Sequence, residues 1–286
     1  MNLSNAVVAR TPNTSPHEDL RFEFGKNWAH FLEHLDESRI AEAELSLRRA
    51  LHVSDLFEKS FLDIGCGSGL FSLAARRLGA RVHSFDYDEN SVACTRMLRE
   101  RFYPDDDEWT VDRGSALDEV YIRSLGEFDI VYSWGVLHHT GDLYRALDLV
   151  HLAVAGRGRL LLSIYNDQGV VSKRWKHLKR VYVRSPHMAR FTLELLTFAI
   201  TWGRCIPLDM IRLKPFRTVT AWRSYSKERG MSPWHDIVDW AGGYPFEVAK
   251  PEAIFGFYRN RGFQLEDLKT CGGGKGCNEF LFVREQ

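Results

Sequence analysis

Three glycines at alternate positions, Gly65, Gly67 and Gly69, stand between two acids, Asp63 and Asp86, and a pair of adjacent histidines, His138 and His139, follows further along. Glycine at such places lets a ligand approach the backbone where a side chain would block it. The apolar run Phe61-Leu62 leads through Asp63-Ile64 into the glycines, and Leu70-Phe71-Ser72-Leu73-Ala74-Ala75 continues beyond them at helical spacing. The pattern is strand, tight turn, helix. The helix would present unpaired N–H groups and a positive dipole end, so a nucleotide-like ligand outside the strand's carboxyl end is the natural occupant.

The spacing narrows the ligand. The glycines read G-x-G-x-G rather than the G-x-G-x-x-G of dinucleotide sites, and no Gly-Lys-Ser/Thr follows as a phosphate loop requires. Asp63, two residues before Gly65, is placed to meet a cationic amine. A second strand, Arg81–Phe85, ends at Asp86, roughly 20 residues on from the glycines, where a ribose-binding acid belongs. An ammonium and a ribose diol without a pyrophosphate are the features of S-adenosylmethionine. On these residues the chain resembles the class I S-adenosylmethionine-dependent methyltransferases.

Positioning these groups falls to an alternation of strands and helices. Helices are expected at Leu70–Leu78, Asn90–Phe102 and Leu143–Val154, and strands at Arg81–Phe85, Trp109–Val111, Phe128–Ser133 and Gly158–Tyr165. Such alternation implies a parallel sheet with right-handed crossovers. Two last strands, Gly262–Leu265 and Asn278–Val283, are joined by a turn holding Gly272-Gly273-Gly274, too short for a helical crossover, and should pair antiparallel. The resemblance implies the fold class: α/β, a Rossmann-like seven-stranded sheet, mostly parallel with an antiparallel C-terminal hairpin and helices on both faces, plus a helical insertion. The divisions expected are a disordered tail over 1–16, N-terminal helices forming a cofactor lid over 17–54, a cofactor-binding core over 55–165, an insertion over 166–250, and a C-terminal helix and hairpin over 251–286.

The same resemblance implies a cofactor set of Asp63, Gly65, Cys66, Gly67, Gly69, Asp86, Tyr87, Ser115, Ala116 and Trp134, with S-adenosylhomocysteine as product. Relatives often carry an acid at the position of Ser115, where the adenine amino group is met. A hydroxyl accepts that bond more weakly than a carboxylate, which leaves Asp112 and Asp118 open as substitutes. The segment Ser133–His139 resembles the stretch that carries Glu and His in ubiquinone-pathway-like O-methyltransferases; here both places are histidine. A neutral imidazole can take a proton from a hydroxyl, phenol or ammonium as a methyl arrives. Neighbouring residues cannot share one face, so one of the two should reach the substrate, and His138 is the choice. The sulfonium is already activated, so positioning, desolvation and proton removal suffice. Cys271 and Cys277 lack zinc spacing, and no metal site is expected.

After Tyr165 comes a connection far longer than the roughly 30 residues such a fold requires. It holds a basic segment, Lys173–Arg180, an apolar run, Phe191–Trp202, the scattered Lys214, Arg217, Trp222 and Arg223, and the turn Trp240–Glu247 with Gly242-Gly243 and Pro245. Lying after strand five, it should cover the methyl donor as a substrate lid or a homodimer contact. Tyr165, Asn166, Trp240 and Tyr244 are the expected substrate residues, with Phe246 beside them, and Phe22, Phe24 and Trp28 the aromatics to watch in the N-terminal helices. The basic segment reads as a solvated helix face, with tRNA or anionic lipid the sharper alternative. The apolar run reads as core or dimer interface.

The 286 residues carry 38 basic and 38 acidic side chains, so bulk charge gives no argument for nucleic acid or membrane. Five cysteines without regular spacing point to a reducing, cytoplasmic setting, and no apolar run is long enough to span a bilayer. The expected function is methyl transfer to a small-molecule acceptor, most readily a hydroxyl oxygen; N- or C-methylation, tRNA methylation and a non-catalytic cofactor-fold protein are the alternatives.

Overall fold

In a computed structural model, the described residues are 35–203 and 233–286, together with Phe22, Leu32, Asp209, Ile211, Thr218, Thr220 and Trp222. The expected tail, Phe24, Trp28, Lys214, Arg217 and Arg223 lie outside them.

Seven strands form one sheet: β1 (Ser60–Ile64), β2 (Arg81–Asp86), β3 (Trp109–Arg113), β4 (Phe128–Trp134), β5 (Val154–Tyr165), β6 (Phe263–Lys269) and β7 (Cys277–Arg284). Their order is β3-β2-β1-β4-β5-β7-β6. The first five are parallel, and β7 inserts antiparallel between β5 and β6. The order reverses between β1 and β4, and a ligand crevice forms outside the carboxyl ends of strands at such a switch point.

Helices α1 (Glu37–Leu51), α2 (Leu70–Arg77) and α3 (Glu89–Phe102) cover one face. Their Ile40, Leu47, Leu73 and Leu98 share a core with Phe61, Val82 and Tyr132 of the sheet. On the other face α4 (Glu119–Ser124), α5 (Leu143–Val150) and α9 (Pro251–Arg259) bury Ile122, Leu147, Ile254 and Tyr258 against Leu62, Val131, Leu162 and Phe282. Central strands buried on both faces read as apolar runs, which is why they were legible. Aspartates cap four of these helices: Asp36 bonds Arg39 N–H, Asp88 Asn90 N–H, Asp118 Tyr121 N–H and Asp142 Arg145 N–H.

Several boundaries move, with β6 running on to Lys269 and β3 to Arg113. The helix expected to run to Val154 ends at Val150, passes through a single 3-10 turn at His151–Ala153, and gives way to a strand that starts at Val154 rather than Gly158. Val154 pairs with Phe128 across a register shift in β4, and that pairing overrides the local helical pattern. The short α4 carries too little periodicity to have been expected.

Within the insertion, α6 (Val170–Arg184), α7 (His187–Phe198) and α8 (Pro233–Gly242) are helical, and Ala199–Gly203 forms a π-helical turn. Most of the basic segment is the exposed face of α6, with Lys173, Arg174, Lys176 and Arg180 in solvent, but Lys179 within it is buried. The apolar run is not core in this chain: Phe191 is 52% exposed, and Leu195 and Leu196 are exposed beside it. Among the described residues no helix is long and apolar enough to cross a membrane.

Candidate active site

The glycine turn closes against the end of β2. Gly65 N–H and Cys66 N–H both donate to the Phe85 carbonyl, at 2.8 and 3.1 Å. Gly65, Gly67 and Gly69 all have positive φ. A Cβ on Gly65 would stand 2.4 Å from Val136, so glycine is required there both for conformation and for room. Asp86 sits at the rim: one carboxylate oxygen accepts from Gly67 N–H at 3.0 Å and the other from Asp88 N–H at 2.9 Å. Burial pushes its carboxyl up to about 6 despite these bonds.

Asp63 is placed otherwise than its spacing implied. It shares the face of Phe61, toward α2, and is 2% exposed. Its carboxylate accepts from Ser72 Oγ at 2.5 Å; Ser84 Oγ donates to Ser72 Oγ, and Trp109 Nε1 donates to Ser84 Oγ. Burial raises the Asp63 carboxyl to about 7, the Ser72 bond opposing and the Asp86 charge assisting. It stiffens the turn from beneath and does not line the cavity. The alternation of strand β1 carries it there: Ile64 faces the cavity and Asp63 the helix behind.

That cavity, about 950 Å³, runs from the glycine turn to the insertion. At its first end stand Gly65, Gly67, Asp86, Tyr87, Ser115, Ala116 and Trp134. Ser115 Oγ accepts from Leu117 N–H at 3.2 Å. Neither acid weighed as its substitute reaches the cavity wall: Asp118 caps α4, and Asp112 stands 3.2 Å from His83 Nε2.

At the other end, Leu137–His139 form a 3-10 turn after β4. The segment Pro245–Glu247 clamps it: Glu247 N–H donates to the His138 carbonyl at 2.9 Å, and Gly141 N–H to Glu247 Oε2 at 3.1 Å. His139 Nδ1 lies 2.6 Å from the Pro245 carbonyl. A carbonyl only accepts, so Nδ1 carries a proton, and in the neutral ring the lone pair is then on Nε2. His139 lines the cavity. His138 does not, which corrects the expectation that it would reach the substrate: it is fully buried, with its ring centroid 3.9 Å from that of Tyr165 and Nδ1 taking Tyr165 N–H at 3.4 Å. Burial, then His139 and Lys179, hold its imidazole well below the usual range, so it is neutral.

Tyr165 and Trp240 also face the cavity, their rings 5.6 Å apart and edge to face. Tyr244 and Phe246 are buried behind them, and Asn166 is spent on Gly274 and Asn278 beneath the β6–β7 turn. Cys66 and Gly69 also stand off the wall, Cys66 taking the Thr95 hydroxyl at 3.2 Å. Sequence reasoning missed Asp236 and Asp239 of α8, Thr197 of α7, Thr201 and Trp202 just after it, and the turn residues Cys271, Lys275 and Cys277, all on the wall. Asp236, Asp239 and Trp240 share one helix face by their spacing of three and four, a signal available without coordinates. Phe22 lines the cavity too. Among the described residues no group of three His, Cys, Asp or Glu side chains is set to hold a metal ion.

This sheet order and glycine turn define a nucleotide-type crevice on a Rossmann-like fold, and the comparisons name the class. A family model described as a methyltransferase domain matches residues 16–198, and the chain belongs to that family, as a class I S-adenosylmethionine-dependent methyltransferase domain. It is 27% identical over 145 residues to a ubiquinone biosynthesis O-methyltransferase of Rhodopseudomonas palustris, covering 50% of this chain and 52% of that protein. A ribosomal protein L11 methyltransferase of Streptococcus agalactiae is 27% identical over 151 residues, 52% of this chain and 42% of the relative. The chain thus spans about half the length of the curated relatives it matches. Among solved structures, magnesium protoporphyrin IX methyltransferase from Synechocystis with bound S-adenosylhomocysteine aligns over 93% of this chain and 98% of that one, with TM-score 0.54 and 13% identity. The [4+2]-cyclase SpnF aligns over 86% and 80%, with TM-score 0.51 and 12% identity. Fold likeness at this identity is shared by different chemistries.

The residues present fit the cofactor. A Cβ on Gly135, at φ +80 on the cavity wall, would meet nothing within 4 Å, so the backbone is left bare toward open space. Asp86 offers an acceptor suited to a diol, and Gly65 and Gly67 leave the turn open to close approach.

Proposed function

We propose that this chain transfers a methyl group from S-adenosylmethionine to a small-molecule hydroxyl, with His139 as general base. Asp86 would hold the ribose, Gly65 and Gly67 the amino-acid end, Tyr87 the sugar's outer side, and Ser115 and Ala116 the base. When bound, the cofactor supplies an electrophilic methyl on a sulfonium. The chain supplies the rest. His139 is held with Nδ1–H on the Pro245 carbonyl, so its Nε2 can accept the proton that leaves the acceptor oxygen. Tyr165 and Trp240 exclude water and present flat apolar surfaces to the acceptor. The observation that carries this reading is the 2.6 Å bond that fixes the His139 tautomer on the cavity wall.

The test is a panel of phenols, alcohols and amines with methyl-labelled cofactor, wild type beside His139→Ala and His138→Ala. His139→Ala should lower turnover on a hydroxyl acceptor by about 10²–10⁴-fold with cofactor affinity retained. Undiminished turnover in that variant overturns the base assignment. N-methylation is the second reading, favoured by Asp236 and Asp239 on the acceptor wall, where carboxylates suit a cationic amine. Labelling of amines alone would establish it in place of the first. A homodimer through α7 is a further proposal, resting on the exposed Phe191, Leu195 and Leu196.

A further inference from the structure

Two of the cavity-wall residues are thiols on one glycine-rich turn. Cys271 follows the end of β6 and Cys277 opens β7, with Gly272, Gly273, Gly274, Lys275 and Gly276 between them. The β6–β7 register pairs Lys269 with Glu279, and carried two residues further it sets Cys271 opposite Cys277. Two contacts agree: Cys271 N–H donates to Asn278 Oδ1 at 3.1 Å, and a Cβ built on Gly276 would stand 3.2 Å from the Cys271 Cβ. Both residues line the same cavity, and the Cys271 thiol donates to the Gly274 carbonyl at 3.2 Å, within the turn that joins them. Residues directly opposed across an antiparallel pair hold their Cβ atoms about 4.5–5.5 Å apart. A disulfide asks for about 3.5–4.5 Å, a shift of roughly one ångström. Gly272, Gly273 and Gly276 all have positive φ, so the turn has no side chains at these positions to resist that shift.

We propose that Cys271 and Cys277 form a reversible thiol–disulfide site on the acceptor wall, taking small-molecule disulfides as its oxidant class. One thiolate attacks a sulfur of the oxidant and releases one small thiol; the second displaces the other, leaving an intramolecular disulfide and two small thiols per oxidant. Closure acts on the acceptor end. Lys275 lies 3.6 Å from the Trp240 ring, and Cys277 pairs with Tyr165 across β5 and β7. Among the described residues β1 and β2, which carry the glycine turn and Asp86, do not pair with this hairpin, so closure should leave the cofactor end unchanged.

The experiment treats the folded chain with oxidised glutathione at graded glutathione ratios, alkylates remaining thiols, and maps the peptides by mass. The expected result is a 271–277 cross-link that dithiothreitol reverses, and in Cys271→Ser a single glutathione adduct on Cys277. S-adenosylhomocysteine affinity, by calorimetry, should agree within about twofold between the reduced and oxidised chains. Two stable glutathione adducts on the wild type, a cross-link to another cysteine, or both thiols still alkylated at the most oxidising ratio would overturn the site. A tenfold loss of S-adenosylhomocysteine affinity on closure would overturn its confinement to the acceptor end. None of these readouts depends on which acceptor the enzyme takes, so the site can fail while the methyltransferase reading stands.

Discussion

The two ends of the one cavity are built by different means. At the cofactor end the groups stand on strand ends of one sheet: Gly65 after β1, Asp86 at the end of β2, Ser115 after β3, Trp134 at the end of β4. Their spacing follows from strand and helix lengths, and rigid pairing fixes them. At the acceptor end the wall is assembled from α7, α8, the histidine turn and the β6–β7 turn, segments far apart in sequence. No local spacing encodes that assembly. Substitutions at the first end should therefore act on cofactor binding and fold together, and those at the second on the acceptor alone.

Gly65→Ala should break the first end most completely. It forces a side chain into φ +78 and sets its Cβ 2.4 Å from Val136, which itself lines the cavity. Strain and overpacking together should remove about 3 kcal/mol or more of stability and abolish detectable S-adenosylhomocysteine binding. Denaturant melts and calorimetry read both. A destabilised variant with full affinity would show that the turn is not the cradle.

Asp86→Ala removes a carboxylate that bonds two backbone N–H groups and would bond the ribose. A loss of about 2–3 kcal/mol in cofactor binding, roughly 30- to 150-fold in Kd, is expected by titration. The pH dependence sharpens this. Asp63 and Asp86 have folded values raised to about 7 and about 6 from an ordinary 3.8. Between those values the folded chain holds more protons than the unfolded one, so these two groups stabilise the ligand-free fold at low pH, and that contribution is lost as pH rises through about 6 to 7. Cofactor affinity should run the other way, growing as Asp86 ionises. Asp63→Asn should flatten the stability slope by removing one of the two groups. An unchanged slope in that variant would mean that Asp63 is already ionised at low pH.

The same contrast explains what could be read from the sequence. The sheet, its antiparallel hairpin, the glycines and Asp86 were legible because central strands write themselves as apolar runs and the turn demands glycine. Asp63 was assigned by its offset from the glycines, whereas strand alternation, equally present in the sequence, aims it at Ser72. The choice between His138 and His139 depended on a carbonyl more than a hundred residues away in the insertion, at Pro245. Nothing near residue 139 records that partner.

The smallest expected effect lies behind the acceptor wall, at Lys179 of α6. This side chain is 1% exposed; its ammonium nitrogen donates to the Trp240 carbonyl at the end of α8 and lies 4.2 Å from the Trp240 ring and 4.9 Å from that of Phe246. Burial, then Lys275, depress its pKa well below the ordinary 10.5, with Asp239 and Asp236 opposing. The unfolded chain holds the proton more tightly than the fold does, so lysine here takes away stability as pH falls below 10.5, until the folded group is itself protonated. Lys179→Met keeps the volume and loses one hydrogen bond, worth about 1 kcal/mol, together with the desolvated amine. Near pH 9 the variant should melt slightly below wild type, and the difference should shrink or reverse on going to pH 6. S-adenosylhomocysteine affinity should stay within about twofold, because the contacts of this residue, with Trp240 and Phe246, lie at the acceptor end. Parallel melting curves across that range would show that the lysine keeps its charge in the fold, and that cation–π contact with Trp240 and Phe246, rather than a neutral amine, holds α6 against α8.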